Sequence, residues 1–316
     1  MNANKEDLGV LHEYELDLAF GKDENNFQCK IAAKDHCCEA GYFLYIEGTE
    51  YGGIVDSIES NTETDEVVYT GRTWHGLLDS KVIEPDNGEA YLHVTGEANA
   101  TIAYLLLRLS LDELFTASSD VSGMNISNYK MNRYIKGYKG ICKMLDSADA
   151  KLRFVYQNGK VVLSAVPKYN YADDEEFDSD QVSFQGTKHY KTVNHLVCLG
   201  SGELENRMIV HLYADAEGNI SQTQTQFGMD EYADVYDYSN VESKEELISG
   251  GTAELKALWG QNELSISLDD TSDFYGIGDI VGAYDNITKI SVSAEIIKKI
   301  VTIKDGVVTI SYEVGE

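Results

Sequence analysis

Apolar residues alternate with polar ones in short runs at both ends of this sequence and take up helical spacing only in between. Period-two alternation sends successive side chains to opposite faces of an extended chain, so it predicts half-buried strands at the two ends. Tyr14, Leu16 and Leu18 alternate, Phe43 and Tyr45 follow, and then comes Gly52-Gly53-Ile54-Val55. The polar clusters Lys22-Asp23-Glu24-Asn25-Asn26 and Asn61-Thr62-Glu63-Thr64-Asp65 separate these runs as hairpin connections do. At the far end the pattern is β again from Ser291 to Ile303, turns at Asp305-Gly306 and resumes from Val307 to Val314. The chain has 21 Tyr and 27 Gly but only 2 Pro, which suits strands joined by turns better than a helix bundle.

Between the ends the period changes. Ile102, Leu105, Leu106 and Leu109 fall at i, i+3, i+4 and i+7 behind an expected Asn99 cap, which predicts an amphipathic helix. Ile141, Met144, Leu145 and Ala148 repeat that spacing. Apolar runs then flank Asn158-Gly159, a hairpin turn whose two positions need positive φ, so the stretch from about 95 to 170 reads as an α+β module. The acidic run from Asp173 to Asp180 reads as a solvated boundary loop. Strands resume at Val193–Leu199 and Met208–Tyr213, the second leading into the turn Glu217-Gly218-Asn219. Ser243-Lys244-Glu245-Glu246 has capping-box spacing, and the helix it opens is expected to run through Gly250-Gly251 to Leu258 and Trp259. No repeat of solenoid period is present, but the β-rich character of the first 75 residues returns in the last 50 and hints at two related β-domains.

Charge narrows the function classes. Asp and Glu number 54 against 25 Lys and Arg, a net −29. Such a field repels phosphate backbones and anionic bilayers, so specific nucleic-acid binding and membrane insertion are not expected. No stretch runs to 18 apolar residues, and the N-terminus lacks a basic region followed by an apolar core, so neither a membrane span nor a signal peptide is expected. Five scattered cysteines, Cys29, Cys37, Cys38, Cys142 and Cys198, fit reduced thiols made in a cytoplasm. A chain of 316 residues is long enough for about two domains with real cores.

Catalytic patterns do not rise above background. Gly200-Ser201-Gly202 lacks the full nucleophile-elbow frame because Leu199 takes the first glycine position, and it reads as a turn leaving a strand. Gly276-Ile277-Gly278-Asp279-Ile280-Val281-Gly282 has a displaced third glycine and no helix after it, so a strand-entry turn is expected rather than a dinucleotide site. Cys29 with His36-Cys37-Cys38 lacks paired CxxC hooks and reads as free thiols. The acidic run lacks the glycine-bearing alternation of a calcium loop. His195 and His211 read as strand residues, not ligands or bases. No cofactor or metal is expected.

At Tyr69-Thr70-Gly71-Arg72-Thr73-Trp74-His75-Gly76-Leu77-Leu78, followed by Val82-Ile83-Glu84-Pro85, the sequence resembles the siphovirus ReqiPepy-type tail protein family of phage and prophage tail or baseplate hubs. Three colinear stretches agree: Gly52 to Ile58, Val193 to Gly200 running on to Glu203 and Arg207, and Gly278-Asp279-Ile280-Val281. The resemblance implies a mainly β fold with an α+β insertion. On that pattern 1–94 is an N-terminal β-barrel-like hub domain and 95–183 the insertion. A second barrel-like hub domain takes 184–240 and 263–316, interrupted by a helical insertion at 241–262. It also implies a homotrimeric ring of pseudo-sixfold symmetry that joins the tail tube to a threefold tip and contacts the distal tail, tape-measure and tip proteins. Such a protein is made in a host bacterial cytoplasm and carried in the tail of a virion or phage-like particle. Its acidity either lines a lumen that does not bind the passing genome or keeps a concentrated subunit soluble.

Structural or interface roles are expected for seven residues. Arg72, Trp74 and His75 are candidates for a barrel-to-helix packing corner, with Trp74 in the core or, alternatively, an interface anchor. Gly53, Gly71 and Gly278, the last beside Asp279, are expected where a turn or bulge needs positive φ or close backbone approach. The competing functions are a tail-associated cell-wall hydrolase or peptidase, and a receptor- or carbohydrate-binding module. The sequence ends at Glu316 just after the last hub-like strand, which is expected to leave no room for an appended hydrolase.

Overall fold

A computed structural model of the chain describes residues 1–2, 4–173, 176–178, 184–187, 192–216, 218–239, 241, 243–259, 263–266, 275–284, 287–288 and 291–315. Their contacts form two compact units, one of residues 1–184 with 265–316 and one of residues 185–264.

The first unit is built on a mainly β scaffold, a curled half-barrel sheet of nine strands. Its first five strands are β1 (Glu15–Gly21), β2 (Asn26–Ala32), β3 (Phe43–Tyr45), β4 (Gly52–Asn61) and β5 (Glu66–Thr73). They pair in the order β1-β2-β5-β4-β3, and the 14-residue strand Ser291–Lys304 then joins the free edge of β1. Leu16 lies opposite Ile303 and Gly21 opposite Lys298, so strands from the two ends of the sequence share one hydrogen-bonded sheet. Strands Ile280–Tyr284 and Val307–Gly315 both pair antiparallel with Ser291–Lys304. Along β2, buried Phe27, Cys29 and Ile31 alternate with exposed or half-buried residues, the period that the sequence announced. Within the acidic run read as a solvated loop, Glu176–Asp178 is instead a short strand parallel to Ile280–Tyr284; residues 174, 175, 179 and 180 lie outside the described residues. Main-chain pairing at a sheet edge does not depend on side-chain charge, and charge is a common way to keep an edge from recruiting another chain.

Three helices and a hairpin, with further short strands, also belong to this unit. They are α1 (Trp74–Asp79), α2 (Ala98–Arg108) and α3 (Gly137–Asp146), with strands Ala150–Gln157 and Lys160–Pro167 turning at Asn158 (φ 52°) and Gly159 (φ 75°). Ile102, Leu105 and Leu106 of α2 and Ile141, Met144 and Leu145 of α3 pack with Trp74, Phe154 and Leu163 in one core. The cap of α2 is Glu97 and not Asn99. Glu97 Oε2 accepts from Ala100 N at 2.9 Å, and although burial opposes ionisation, the Ser122 hydroxyl and nearby backbone N–H groups hold this carboxyl down at about 2. Asn99 sits inside the first turn, where its amide donates to Asp120 O at 2.8 Å and accepts from Ala165 N at 2.7 Å. Those tertiary partners, invisible in the local sequence, outbid a cap role that suited Asn99 by residue type.

In the second unit, strand His195–Leu199 lies between Ile209–Ala214, antiparallel, and Ala233–Asp237, parallel. Helix α4 (Lys244–Trp259) packs Leu247 and Leu255 against Leu196, Cys198 and Leu212. Ser243 Oγ accepts from Glu246 N at 3.3 Å, as the capping-box spacing requires. The helix continues through Gly250-Gly251 because it needs the gap: a Cβ on Gly251 would lie 2.3 Å from Cys198 Sγ. Glu217 of the expected turn lies outside the described residues. No described helix is long and apolar enough to cross a membrane.

Candidate functional site

Five of the seven singled-out residues stand where β4 and β5 bend and β5 passes into α1. The register between these strands shifts between Val55 and Ser57, which leaves Asp56 as a bulge. Opposite it the backbones close in: a Cβ on Gly71 would lie 1.8 Å from Ile54 O, and one on Gly53 would lie 2.0 Å from Arg72 O. Arg72 fastens the bulge. Its Nε and one terminal nitrogen donate to the Asp56 carboxylate at 2.8 and 2.6 Å, and its backbone N–H adds a third bond at 3.0 Å. The hydrogen bonds and charge of Arg72 hold the Asp56 carboxyl below the usual range.

Thr73 ends the strand and caps the helix by accepting from Gly76 N at 3.3 Å, which carries Trp74 and His75 into the interior. Trp74 is fully buried, stacked on Tyr156 at 5.5 Å and on Phe43 at 6.1 Å between ring centroids. His75 stacks on Phe20 at 4.2 Å and meets Phe154 at 3.9 Å. Its Nδ1 has no hydrogen-bond partner, and burial, helped by the charge of Lys299, drives its pKa well below the ordinary 6.5. Lys299 is 1% exposed, bonded to Glu50 Oε1 at 2.8 Å and faced by the rings of Phe20, Tyr51 and Tyr312. No sequence signal marked this pair, whose members stand 249 positions apart.

Gly278 and Asp279 belong to a separate corner. Gly278 has φ +95°, a conformation that disfavours a side chain. Buried Asp279 accepts from Tyr169 N and Gly276 N, each at 2.9 Å, and bonds the Lys151 ammonium. The turn sets Asp279 against Lys151 of the strand Ala150–Gln157 where a dinucleotide fold would need an open helix N-terminus.

Catalytic geometry is sparse. His195 and His211, read from the sequence as plain strand residues, are hydrogen-bonded to each other at 2.8 Å, and His195 Nδ1 contacts Glu231 Oε1 at 2.5 Å. Sequence spacing hid this because the three residues come from different strands and loops. Among the described residues, no hydrogen bond links Ser201 to either imidazole, and no group of three or more His, Cys, Asp or Glu is arranged to hold a metal. The five thiols are free. Burial pushes Cys29, Cys38 and Cys142 up to about 12 and Cys198 to about 11, which keeps them protonated and unreactive.

No protein-family model matches the sequence, and neither does any curated protein. Solved structures do. The chain is similar to the 43 kDa tail protein of prophage MuSo2 from Shewanella oneidensis, with 11% identity over 96% of this chain and 94% of that one and a TM-score of 0.57. A tail protein from Neisseria meningitidis MC58 aligns at 11% identity over 96% of this chain and 92% of its own, with a TM-score of 0.52. Prophage tail protein gp18 from Listeria monocytogenes EGD-e gives 10% identity, coverage of 96% and 90%, and a TM-score of 0.50. Identities this low establish shared architecture and leave the ReqiPepy-type resemblance without a family match: the chain has the fold of these phage and prophage tail proteins.

Proposed function

We propose that this chain is a structural subunit of a phage-type tail, a hub that joins the tail tube to the tip or baseplate. The observation that carries the reading is the end-to-end alignment: all three tail proteins match over 96% of this chain and at least 90% of their own. A shared module grafted onto an unrelated protein would match over a part. In this reading three copies close into a ring, and distal tail, tape-measure and tip proteins are its neighbours. The partition into two barrel-like domains, 1–94 and 184–240 with 263–316, belongs to the same proposal, as does membership of the ReqiPepy-type family. So do the roles of Arg72, Trp74 and His75 at a packing corner and of Gly53, Gly71, Gly278 and Asp279 in turns. Each copy carries −29, which suits a ring whose lumen lets genome or tape-measure protein pass without binding it. The protein acts by assembly and not by catalysis.

Mass photometry and negative-stain microscopy of the chain, alone and mixed with the tail-tube protein of the same particle, test this. Threefold rings that cap tube ends support it. A chain that leaves tube ends bare, or that clears a peptidoglycan suspension, overturns it.

A further inference from the structure

We infer that the cleft between α3, the turn after β1 and the turn at Ile277-Gly278 docks a carboxylate-rich, extended polypeptide segment of another protein. The cleft has a volume of about 590 Å³ and is lined by Lys22, Lys136, Lys139, Lys143, Lys151 and Lys168. Six of the chain's 25 basic residues thus converge on one cleft of a protein with net charge −29. Three of them are already committed. Lys136 bonds Asp79 at 3.2 Å, Lys151 bonds buried Asp279, and Lys168 bridges Asp146 at 2.6 Å and Glu295 at 2.9 Å. Lys139 and Lys143 are exposed and have no ion-pair partner among the described residues. These two present unpaired positive charge from one face of α3.

Geometry selects the occupant. Residues four apart on a helix are separated by about 6 Å along its axis, and alternate residues of an extended chain by about 6.6 Å. A strand-like segment with Asp or Glu at every second position therefore sets one carboxylate against Lys139 and the next against Lys143. Leu152, Ile277 and Ile297 give the cleft apolar lining for the side-chain stems. A nucleic-acid strand fits less well. No arginine is present among the lining residues to grip phosphate in two-point fashion, and two lysines one helical turn apart match only two phosphates of a continuous backbone. The inference stands apart from the tail role: it describes a surface and its ligand chemistry, whichever assembly the chain serves.

Fluorescence anisotropy of the full chain with a labelled ten-residue peptide of alternating Glu and Ser tests it. Saturable binding is expected at low salt, about tenfold weaker when ionic strength brings the Debye length from about 10 Å to about 3 Å. K139E/K143E is expected to lose at least tenfold in affinity. K34E/K256E changes the net charge equally at two exposed lysines outside the cleft and is expected to bind as the parent does. Circular dichroism of both variants checks their folding. Absence of peptide binding, or equal weakening by the two variants, overturns the inference. Tighter binding of a DNA oligonucleotide of equal charge overturns it in favour of nucleic acid. Self-association that K139E/K143E abolishes assigns the cleft to a second copy and likewise overturns it.

Discussion

The half-barrel sheet bends at two bulges, and both bends use the same three parts. In β4 the bulged residue is Asp56, the glycine pressed against the bulging strand is Gly71, and the clamp is Arg72 on Asp56. In the strand Ser291–Lys304 the register slips between Ile296 and Lys298. Gly21 presses against Ile297, where a Cβ would lie 2.2 Å from the carbonyl oxygen, and Lys298 is clamped by Glu24 at 2.7 Å and Glu313 at 3.1 Å. The corners differ in reach. The first closes within one hairpin, whereas the second joins residues near 21 to residues near 297. Closing the longer loop costs a flexible chain about 2.5 kcal/mol more. Both corners press a glycine against a bulged strand and set an ion pair on or beside the bulge, and sequence separation decides which is local.

Substitution of the two glycines is expected to have the largest effect. Gly71→Val and Gly21→Val each force a side chain into a backbone carbonyl, and each is expected to destabilise by about 3 kcal/mol or more in thermal unfolding. They are expected to part in what comes loose. Gly21→Val frees strands 291–315 to limited proteolysis while β4 and β5 stay protected from hydrogen exchange, and Gly71→Val exposes β4 and β5. A loss under about 1 kcal/mol at either glycine would contradict the close approach.

The corners meet at His75, which follows β5 in sequence yet stacks on Phe20 next to Gly21 and lies near Lys299 next to Lys298. Burial keeps it neutral in the folded chain, so the unfolded chain alone takes up a proton as pH falls through the ordinary 6.5. Stability from this residue is complete above that pH and is lost below it, by about 1.4 kcal/mol at pH 5.5. Urea unfolding of His75→Phe is expected to remove this slope. An unchanged slope would mean that other groups carry it.

The clamps should matter least. Arg72 and Asp56 are both more than one-third exposed, so Asp56→Asn is expected to cost about 0.5 to 1 kcal/mol at pH 7. The folded pKa of Asp56 is depressed, so its contribution is present above the ordinary 3.8 and fades as pH falls through the folded value. Parent and variant should converge in acid, and a gap that persists there would trace to the bond with Arg72 N. Lys298→Ala is expected to cost about 0.5 kcal/mol and to lose its effect in high salt. A cost above that of Asp56→Asn would reverse the ranking of the two corners.

Much of the local corner was legible. Gly71, Arg72, Thr73 and Trp74 place a tight approach, a charge, a cap and a large apolar side chain in consecutive positions; the first three act within one hairpin or one helical turn, whereas Trp74 reaches Tyr156. The distal corner was not legible, because nothing near Gly21 or Lys298 says that they face each other. Glu97 against Asn99 shows the same limit at a helix end. Asn99 suits a cap by residue type, yet its partners on Asp120 and Ala165 draw it into the first turn and leave the cap to Glu97.

The β ends, the helical middle, the Asn158-Gly159 turn and the start of α4 follow from local sequence, because side-chain periodicity and turn chemistry act over a few residues. The tertiary structure alone decided that first and last strands share a sheet, that Lys299 meets Glu50, that His195 meets Glu231 and that lysines gather against α3. Those contacts join positions far apart along the chain, and the free energy that selects them arises from burial and charge pairing once the chain has closed on itself.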